Sequence, residues 1–69
     1  MIIAKTRVSS DTGKYMKNLH FSSMESAKAW SIENIGKKTN DSEIVEFISI
    51  TDYETMETEQ YEMKEENND

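Results

Sequence analysis

Carboxylates dominate the chemistry that this 69-residue chain could carry, because it has fourteen Asp and Glu residues. Acid–base catalysis needs two carboxyl groups whose surroundings separate their pKa values. Acids crowded along one polar segment have similar surroundings, and His20, the single histidine, has no nucleophile motif beside it. Gly13 and Gly36 stand alone rather than in a phosphate-binding loop. We predict that the protein is not an enzyme and uses no cofactor.

Metal binding is the second chemistry that acidic side chains could support. Asp52, Glu54, Glu57 and Glu59 carry oxygen ligands, but no glycine lies among them to form the tight loop of an EF-hand. The absence of cysteine excludes thiolate sites, and a single histidine excludes the usual His-rich zinc sites. We expect no dedicated metal site.

The charges are divided unevenly between the two halves of the chain. Residues 1–40 hold seven bases against three acids, a balance of +4, whereas residues 41–69 hold eleven acids against Lys64, a balance of −10. Such asymmetry indicates an interaction tail or an electrostatic partner. Because the bases are scattered and the acidic half would repel phosphate, we expect no direct binding to nucleic acid.

The N-terminal segment predicts an antiparallel hairpin. Residues 2–8 and 15–21 alternate apolar and polar side chains as strands do. The segment 9–14 between them has turn chemistry, and Gly13 can take positive φ there. We expect the aromatic residues of this half, Tyr15, Phe21 and Trp30, to lie in the core.

A helix follows the hairpin. Ser22 and Glu25 have the spacing of a capping box, which would begin the helix, and Gly36 suits its C-terminal cap. Met24, Ala27, Ser31 and Ile35 fall on one stripe at helical spacing.

Residues 43–51 predict a central strand that is apolar on both faces. We expect one face to hold Ile44, Ile48 and Ile50 and the other to hold Val45 and Phe47. Strands of this kind are covered on both sides, here by the helix and by a second subunit.

The segment 52–64 fits either a helix or a strand. Its high density of like charges disfavours an isolated helix, so we favour an extended continuation of the sheet. The resulting fold class is α+β: a small antiparallel sheet with an N-terminal hairpin, one helix and a long central strand with an acidic C-terminal extension, ββαβ(β). We expect a single domain over 1–64 and a flexible acidic tail over 65–69.

The small size of the chain predicts a homodimer. A domain of this length has a marginal core and usually needs a staple. With disulfides and metals set aside, a second subunit is the staple that is left. No apolar run approaches the roughly 18–20 residues that span a bilayer, and the N-terminus lacks a signal peptide, so we expect no membrane contact and a cytoplasmic location.

The acidic half is the predicted binding surface. On a strand or on a helix, its carboxylates would form a row of regularly spaced negative charges that approximates a nucleic-acid backbone. DNA-binding proteins meet such a row with Lys and Arg. The alternative interpretation is that the acids only keep a small protein soluble. The predicted contact residues are Glu43, Glu46, Asp52, Glu54, Glu57, Glu59, Glu62, Glu65, Glu66, Tyr53 and Tyr61.

The aromatic and Met residues of the same segment allow two interpretations. Tyr53, Met56, Tyr61 and Met63 are interleaved with charges, which is typical of an interaction surface. Alternatively, they form a second small apolar face that folds back on the sheet.

In size, lack of cysteine and an acid-loaded segment from Glu46 to Asp69, the chain resembles early bacteriophage host-takeover proteins. Among these it is most similar to acidic DNA-mimic inhibitors of the bacterial nucleoid protein HU. The resemblance implies a dimeric, non-enzymatic inhibitor in the host cytoplasm that displaces DNA from HU, with the acids from Glu43 to Glu66 at the matching positions. The alternative is a phage adaptor or inhibitor that grips another host protein, such as a polymerase or protease, through Tyr53, Met56, Tyr61 and a sheet edge.

Overall fold

The computed structural model describes residues 1–39 and 42–63, which form one helix and a four-stranded antiparallel sheet. In chain order the elements are β1 (Ile2–Ser10), β2 (Gly13–Phe21), α1 (Met24–Asn34), β3 (Ile44–Asp52) and β4 (Glu57–Glu62). Across the sheet the order is β2-β1-β3-β4. The α+β class is confirmed, and the ambiguous segment continues the sheet as a hairpin strand. The predicted tail over 65–69 lies outside the described residues.

The predicted N-terminal hairpin is present and is longer than its sequence pattern indicated. β1 and β2 pair without a break from Ile2 opposite Phe21 to Ser10 opposite Gly13. Gly13 has φ +137°, and no atom lies within 4 Å of a Cβ added there. The backbone conformation, rather than a lack of space, therefore requires glycine at this turn.

The N-cap of α1 is Ser23, whereas the capping-box spacing predicted Ser22. Ser23 has extended φ and ψ of −149° and 155°, and its Oγ accepts a hydrogen bond from the Ser26 N–H at 3.1 Å. Both serines can cap a helix with their hydroxyl groups. The spacing from Ser22 to Glu25 was therefore not enough to decide which of them is the N-cap. At the other end Gly36 has φ +76°, and its N–H donates to the Val45 carbonyl at 2.8 Å. This bond ties the end of the helix to β3.

One face of the sheet packs against α1 and forms the core, and we call it the helix side. Alternate residues of β1, beginning at Ile2, lie on it. The helix contributes the buried Ala27 and Ser31, as its predicted stripe required. At the margin the rings of Phe21 and Trp30 lie with their centroids 5.7 Å apart. The buried hydrophobic residues are Ile2, Ala4, Val8, Ala27, Val45, Ile48 and Ile50.

A bulge in β3 overturns the predicted division of its side chains between two faces. The pairing of β1 with β3 shifts by one residue, so that Glu46 is an extra residue in β3. Val45 consequently lies on the helix side with Ile48, where both are buried, instead of sharing a face with Phe47. Ile44 lies on the opposite side, away from Ile48.

The second face of the sheet, which we call the open face, is not covered by any element within residues 1–39 and 42–63. β3 was expected to be covered on both faces, but within the described residues only α1 covers it, on the helix side. No helix in this part of the chain is long and apolar enough to cross a membrane.

Candidate functional site

The charge asymmetry of the sequence becomes a charge asymmetry across the sheet. β1 and β2 carry four bases and no acid, namely Lys5, Arg7, Lys14 and Lys17. The hairpin of residues 44–62 carries six acids and no base, namely Glu46, Asp52, Glu54, Glu57, Glu59 and Glu62. Because β2 and β4 are the two edge strands, the sheet is basic along one edge and acidic along the other.

Four of these acids form one group on the helix side of the β3–β4 hairpin and in its turn. Asp52 of β3 pairs directly with Glu57 of β4, and Glu59 follows on the same side of β4. Directly opposite residues have Cβ atoms about 4.5–5.5 Å apart, and residues two apart along a strand are about 6.8 Å apart. Glu54 lies in the turn, with 84% of its side chain exposed. We call Asp52, Glu54, Glu57 and Glu59 the acidic edge.

Backbone hydrogen bonds in the turn fix the position of the acidic edge. The Asp52 carboxylate accepts a hydrogen bond from the Glu54 N–H at 2.9 Å, and the Asp52 carbonyl accepts one from the Met56 N–H at 2.7 Å. The Tyr53 N–H donates to the Met1 carbonyl at 2.9 Å, and the terminal ammonium of Met1 lies 3.9 Å from Glu54 Oε1. The turn is therefore hydrogen-bonded to the residue that precedes β1.

Lys28 of α1 faces the acidic edge. Its Nζ lies 3.6 Å from Glu57 Oε2 and 3.8 Å from Glu59 Oε1. All three side chains are more than a third exposed, so each ion pair contributes at most about 1 kcal/mol. Lys28 offsets part of the repulsion between the opposed acids, and the site keeps a negative charge.

The other predicted acids do not join this group. Glu46 and Glu62 lie on the open face, where Lys14 Nζ is 3.3 Å from Glu46 Oε2. Glu43 accepts a hydrogen bond from the Tyr15 hydroxyl. Glu65 and Glu66 lie outside the described residues. The acids from Glu43 to Glu62 therefore form separate groups instead of one row.

The aromatic and Met residues of the acidic half divide between the two interpretations. Tyr53 and Met56, in the β3–β4 turn, are 44% and 67% exposed. Tyr61 instead packs against the core, and Met63 has its Cγ 3.4 Å from the Cβ position of Gly36. Tyr53 and Met56 are thus available to another molecule, whereas Tyr61 and Met63 fold back on the sheet.

Tyr15 was predicted to lie in the core and is 39% exposed. It lies on the helix side, opposite Val8, at the turn end of β2. The eleven-residue helix α1 is shorter than the nine-residue strand β2, because each residue advances less along a helix than along a strand. The helix therefore leaves the turn end of β2 uncovered, and Tyr15 is exposed there. Phe21 and Trp30, the other two predicted core aromatics, pack against the core.

No group of three or more His, Cys, Asp or Glu side chains within the described ranges could hold a metal ion. Among the residues that shape the candidate site, Lys28 was missed by the sequence interpretation. Nothing in the local sequence marks it, because its contacts with β4 are set by how the helix packs on the sheet.

Comparison with models of protein families, with curated proteins and with solved structures gave no match.

Proposed function

We propose that this protein is a non-enzymatic DNA mimic that binds a basic, DNA-binding host protein through the acidic edge and blocks its DNA binding. A nucleoid-associated protein of the HU type, in the cytoplasm of a bacterium infected by a phage, is the target that the sequence resemblance implies. The observation that carries the proposal is a hairpin with six acids and no base, at one edge of a sheet whose other half is basic.

The spacing of the acids supports mimicry beyond a general effect on solubility. Each strand of DNA places one charge about every 3.4 Å along the helix axis. The acidic edge places Glu57 and Glu59 about 6.8 Å apart along β4, and Asp52 of the neighbouring strand β3 lies beside Glu57, about 4.8 Å away. A groove lined with Lys and Arg can contact charges arranged on both strands.

The opposed acids Asp52 and Glu57 support the proposal in a second way. Like charges directly opposite each other in a sheet are destabilising, and solubility alone requires no such placement. A surface that receives cations from another molecule gains from this arrangement, because the incoming Lys or Arg removes the repulsion.

Charge-matched variants test the role of the acidic edge. The first variant carries Glu54→Gln, Glu57→Gln and Glu59→Gln, and the control carries Asp11→Asn, Glu25→Gln and Glu33→Gln, which removes the same charge from exposed positions elsewhere. Binding to purified HU is measured by calorimetry. We expect the first variant to weaken binding by at least about tenfold and the control to bind like the wild type. Equal losses for both variants would reduce the effect to net charge, and unchanged binding in the first would contradict the proposal.

A second candidate function is favoured by the exposed Tyr53 and Met56 beside an edge strand. β4 is an edge strand, and no strand within residues 1–39 and 42–63 pairs with its outer side. Another host protein, such as a polymerase or protease, could add a strand there and hold the two side chains. An adaptor of this kind would bind with little salt dependence. Its binding would be lost in Tyr53→Ala and kept in the triple Gln variant.

A further inference from the structure

The open face carries an ordered array of side chains that the proposed function does not use. The strand register places four rows of neighbouring residues on this face, each running across the sheet from β2 towards β4. The rows are His20–Ile3–Thr51–Thr58, Asn18–Lys5–Ser49–Gln60, Met16–Arg7–Phe47–Glu62 and Lys14–Ser9–Ile44, the last with the bulged Glu46 beside it. Neither a helix nor a loop of the described chain covers these rows.

The open face is large enough to support a specific interface. Nine-residue strands are about 30 Å long, and four strands span about 19 Å. Allowing for the shorter β4, the flat area of the open face is roughly 500 Å² in one copy, so two stacked copies would bury roughly 1,000 Å² in total. This estimate leaves out the additional surface of protruding side chains. This area reaches the lower bound for a specific protein interface.

The charges of the open face are divided in the way that a second copy of the same face would complement. Lys5, Arg7 and Lys14 lie on its β1–β2 half, and the acids Glu46 and Glu62 lie on its β3–β4 half. The face is therefore basic on one side of its midline and acidic on the other.

Glu46 is largely enclosed within its own chain. Only 15% of its side chain is exposed, and Oε2 is taken by Lys14. Its Oε1 is buried and has no hydrogen-bond partner among the described residues. A second copy cannot reach this enclosed oxygen, so the exposed Glu62 is an acid of this face that a cation from another molecule can contact.

We propose that two copies of this chain dimerise by stacking their open faces around a two-fold axis parallel to the strands. Rotation about this axis reverses the strand order, so β2 of one copy faces β4 of the other and β1 faces β3. Each basic half then covers an acidic half. A two-fold axis in the interface perpendicular to the strands would instead place β2 against β2, with bases facing bases. The interface is closed and self-complementary, as is usual for two-fold dimers.

The same rotation keeps every row at its own height, which identifies the contacts. Arg7 of one copy faces Phe47 of the other. Within one chain, the Arg7 guanidinium carbon lies 5.6 Å from the centroid of the Phe47 ring of that same chain. Lys14 of one copy lies diagonally opposite Glu62 of the other. Stacked sheets are about 10 Å apart, a gap that two long charged side chains can span.

A charge-swap experiment on the full-length chain tests this dimer. Sedimentation equilibrium should show a dimer for the wild type, and Lys14→Glu and Glu62→Lys should each raise the dimer dissociation constant by at least about tenfold. The double variant restores both opposite-charge contacts in every dimer, so its dissociation constant should return towards the wild-type value. Lys17→Glu and Glu33→Lys, which reverse charges away from the open face, serve as matched controls and should leave dimerisation unchanged.

Circular dichroism checks that each variant is folded. If loss of the Lys14–Glu46 pair destabilises the Lys14→Glu variant, the Glu62→Lys variant still tests the dimer contact. A wild type that remains monomeric at about 100 μM would overturn the proposal and leave the face to a different molecule. A dimer that resists both single reversals, or one that the double variant does not restore, would also overturn it. The assay contains no host protein, so its outcome is independent of the DNA-mimic proposal.

Discussion

Lys28 sets the charge that the acidic edge presents to another molecule. Its ammonium group is shared between Glu57 and Glu59, and it competes with any cation that a bound protein would bring to these carboxylates. Because the pairs are partly exposed, removing them has a small effect on folding, whereas it frees two carboxylates at the site.

We therefore expect Lys28→Gln to strengthen binding to a basic DNA-binding protein by a few-fold and to change the free energy of unfolding by less than about 1 kcal/mol. Lys38→Gln makes the same change in net charge at an exposed position after the helix and serves as the control. Calorimetry of binding and urea denaturation measure the two effects. Equal strengthening by both variants would show that net charge, and not the Lys28 contacts, limits the affinity.

Thr6 shows how the core tolerates a buried polar atom. Its side chain lies on the helix side of β1 and is 1% exposed, and its Oγ1 has no hydrogen-bond partner among the described residues. A buried hydroxyl without a partner costs about 1–3 kcal/mol. Valine has nearly the same shape and removes that cost.

We expect Thr6→Val to raise the free energy of unfolding by about 1 kcal/mol, as measured by urea denaturation. The helix–sheet packing should be unchanged, since the substitution keeps the branched side chain that β1 favours. A loss of stability would show that the hydroxyl makes a hydrogen bond that stabilises the fold.

At the scale of the elements, the turn between β3 and β4 determines where the acids lie. Met56 has φ +63°, a left-handed conformation that is unfavourable for most L-residues. Its N–H nevertheless closes the turn on the Asp52 carbonyl, and this closure sets the register that places Glu57 opposite Asp52. Asn adopts this conformation more readily than Met.

We expect Met56→Asn to raise the free energy of unfolding by up to about 1 kcal/mol and to leave DNA-mimic binding intact. The same substitution removes an exposed apolar side chain, so it should weaken binding if the protein is an adaptor. Thermal unfolding and calorimetry of binding report the two effects. Loss of binding to HU in this variant, with its fold intact, would move the contact from the carboxylates to the turn.

The elements that the sequence predicted correctly are those defined by local patterns. The hairpin of β1 and β2, the helix α1 and the strand β3 depend on alternation, helical spacing and turn residues close together in the chain. The C-cap of the helix is Ile35, however, and not the predicted Gly36. The bulge at Glu46 depends instead on how β3 pairs with β1, some forty residues earlier. No local pattern carries that information, so Val45 and Ile44 were assigned to the wrong faces.

The candidate site was predictable in composition but not in grouping. The excess of acids after residue 41 is visible in the sequence, as is the alternative of a strand over 52–64. The separation of Glu62 from Glu59 onto opposite faces follows only from the strand assignment of β4. The packing of Lys28 beside Glu57 depends on tertiary structure.

At the scale of the whole molecule, strand order converts a division along the chain into a division across the sheet. β1 and β2 come from the basic half and lie together, and β3 and β4 come from the acidic half and lie together. The helix side at the β4 edge then displays the acidic edge, whereas the open face displays both signs. One chain thus displays an acidic surface, which we propose to bind a basic protein, and a surface of both signs, which we propose to bind a second copy.

Displacement of DNA is the most direct measurement of the central claim. A labelled DNA duplex bound to purified HU is titrated with this protein, and fluorescence anisotropy reports the duplex that is released. We expect full release by the wild type, release by the Asp11/Glu25/Glu33 control, and at least about tenfold weaker competition by the Glu54/Glu57/Glu59 variant. The direct affinity of this protein for HU, measured by calorimetry, should also weaken as salt rises from about 0.05 M to about 0.2 M, because exposed charges are screened. A wild-type protein that binds HU and leaves the duplex in place, or that does not bind HU at all, would contradict the account.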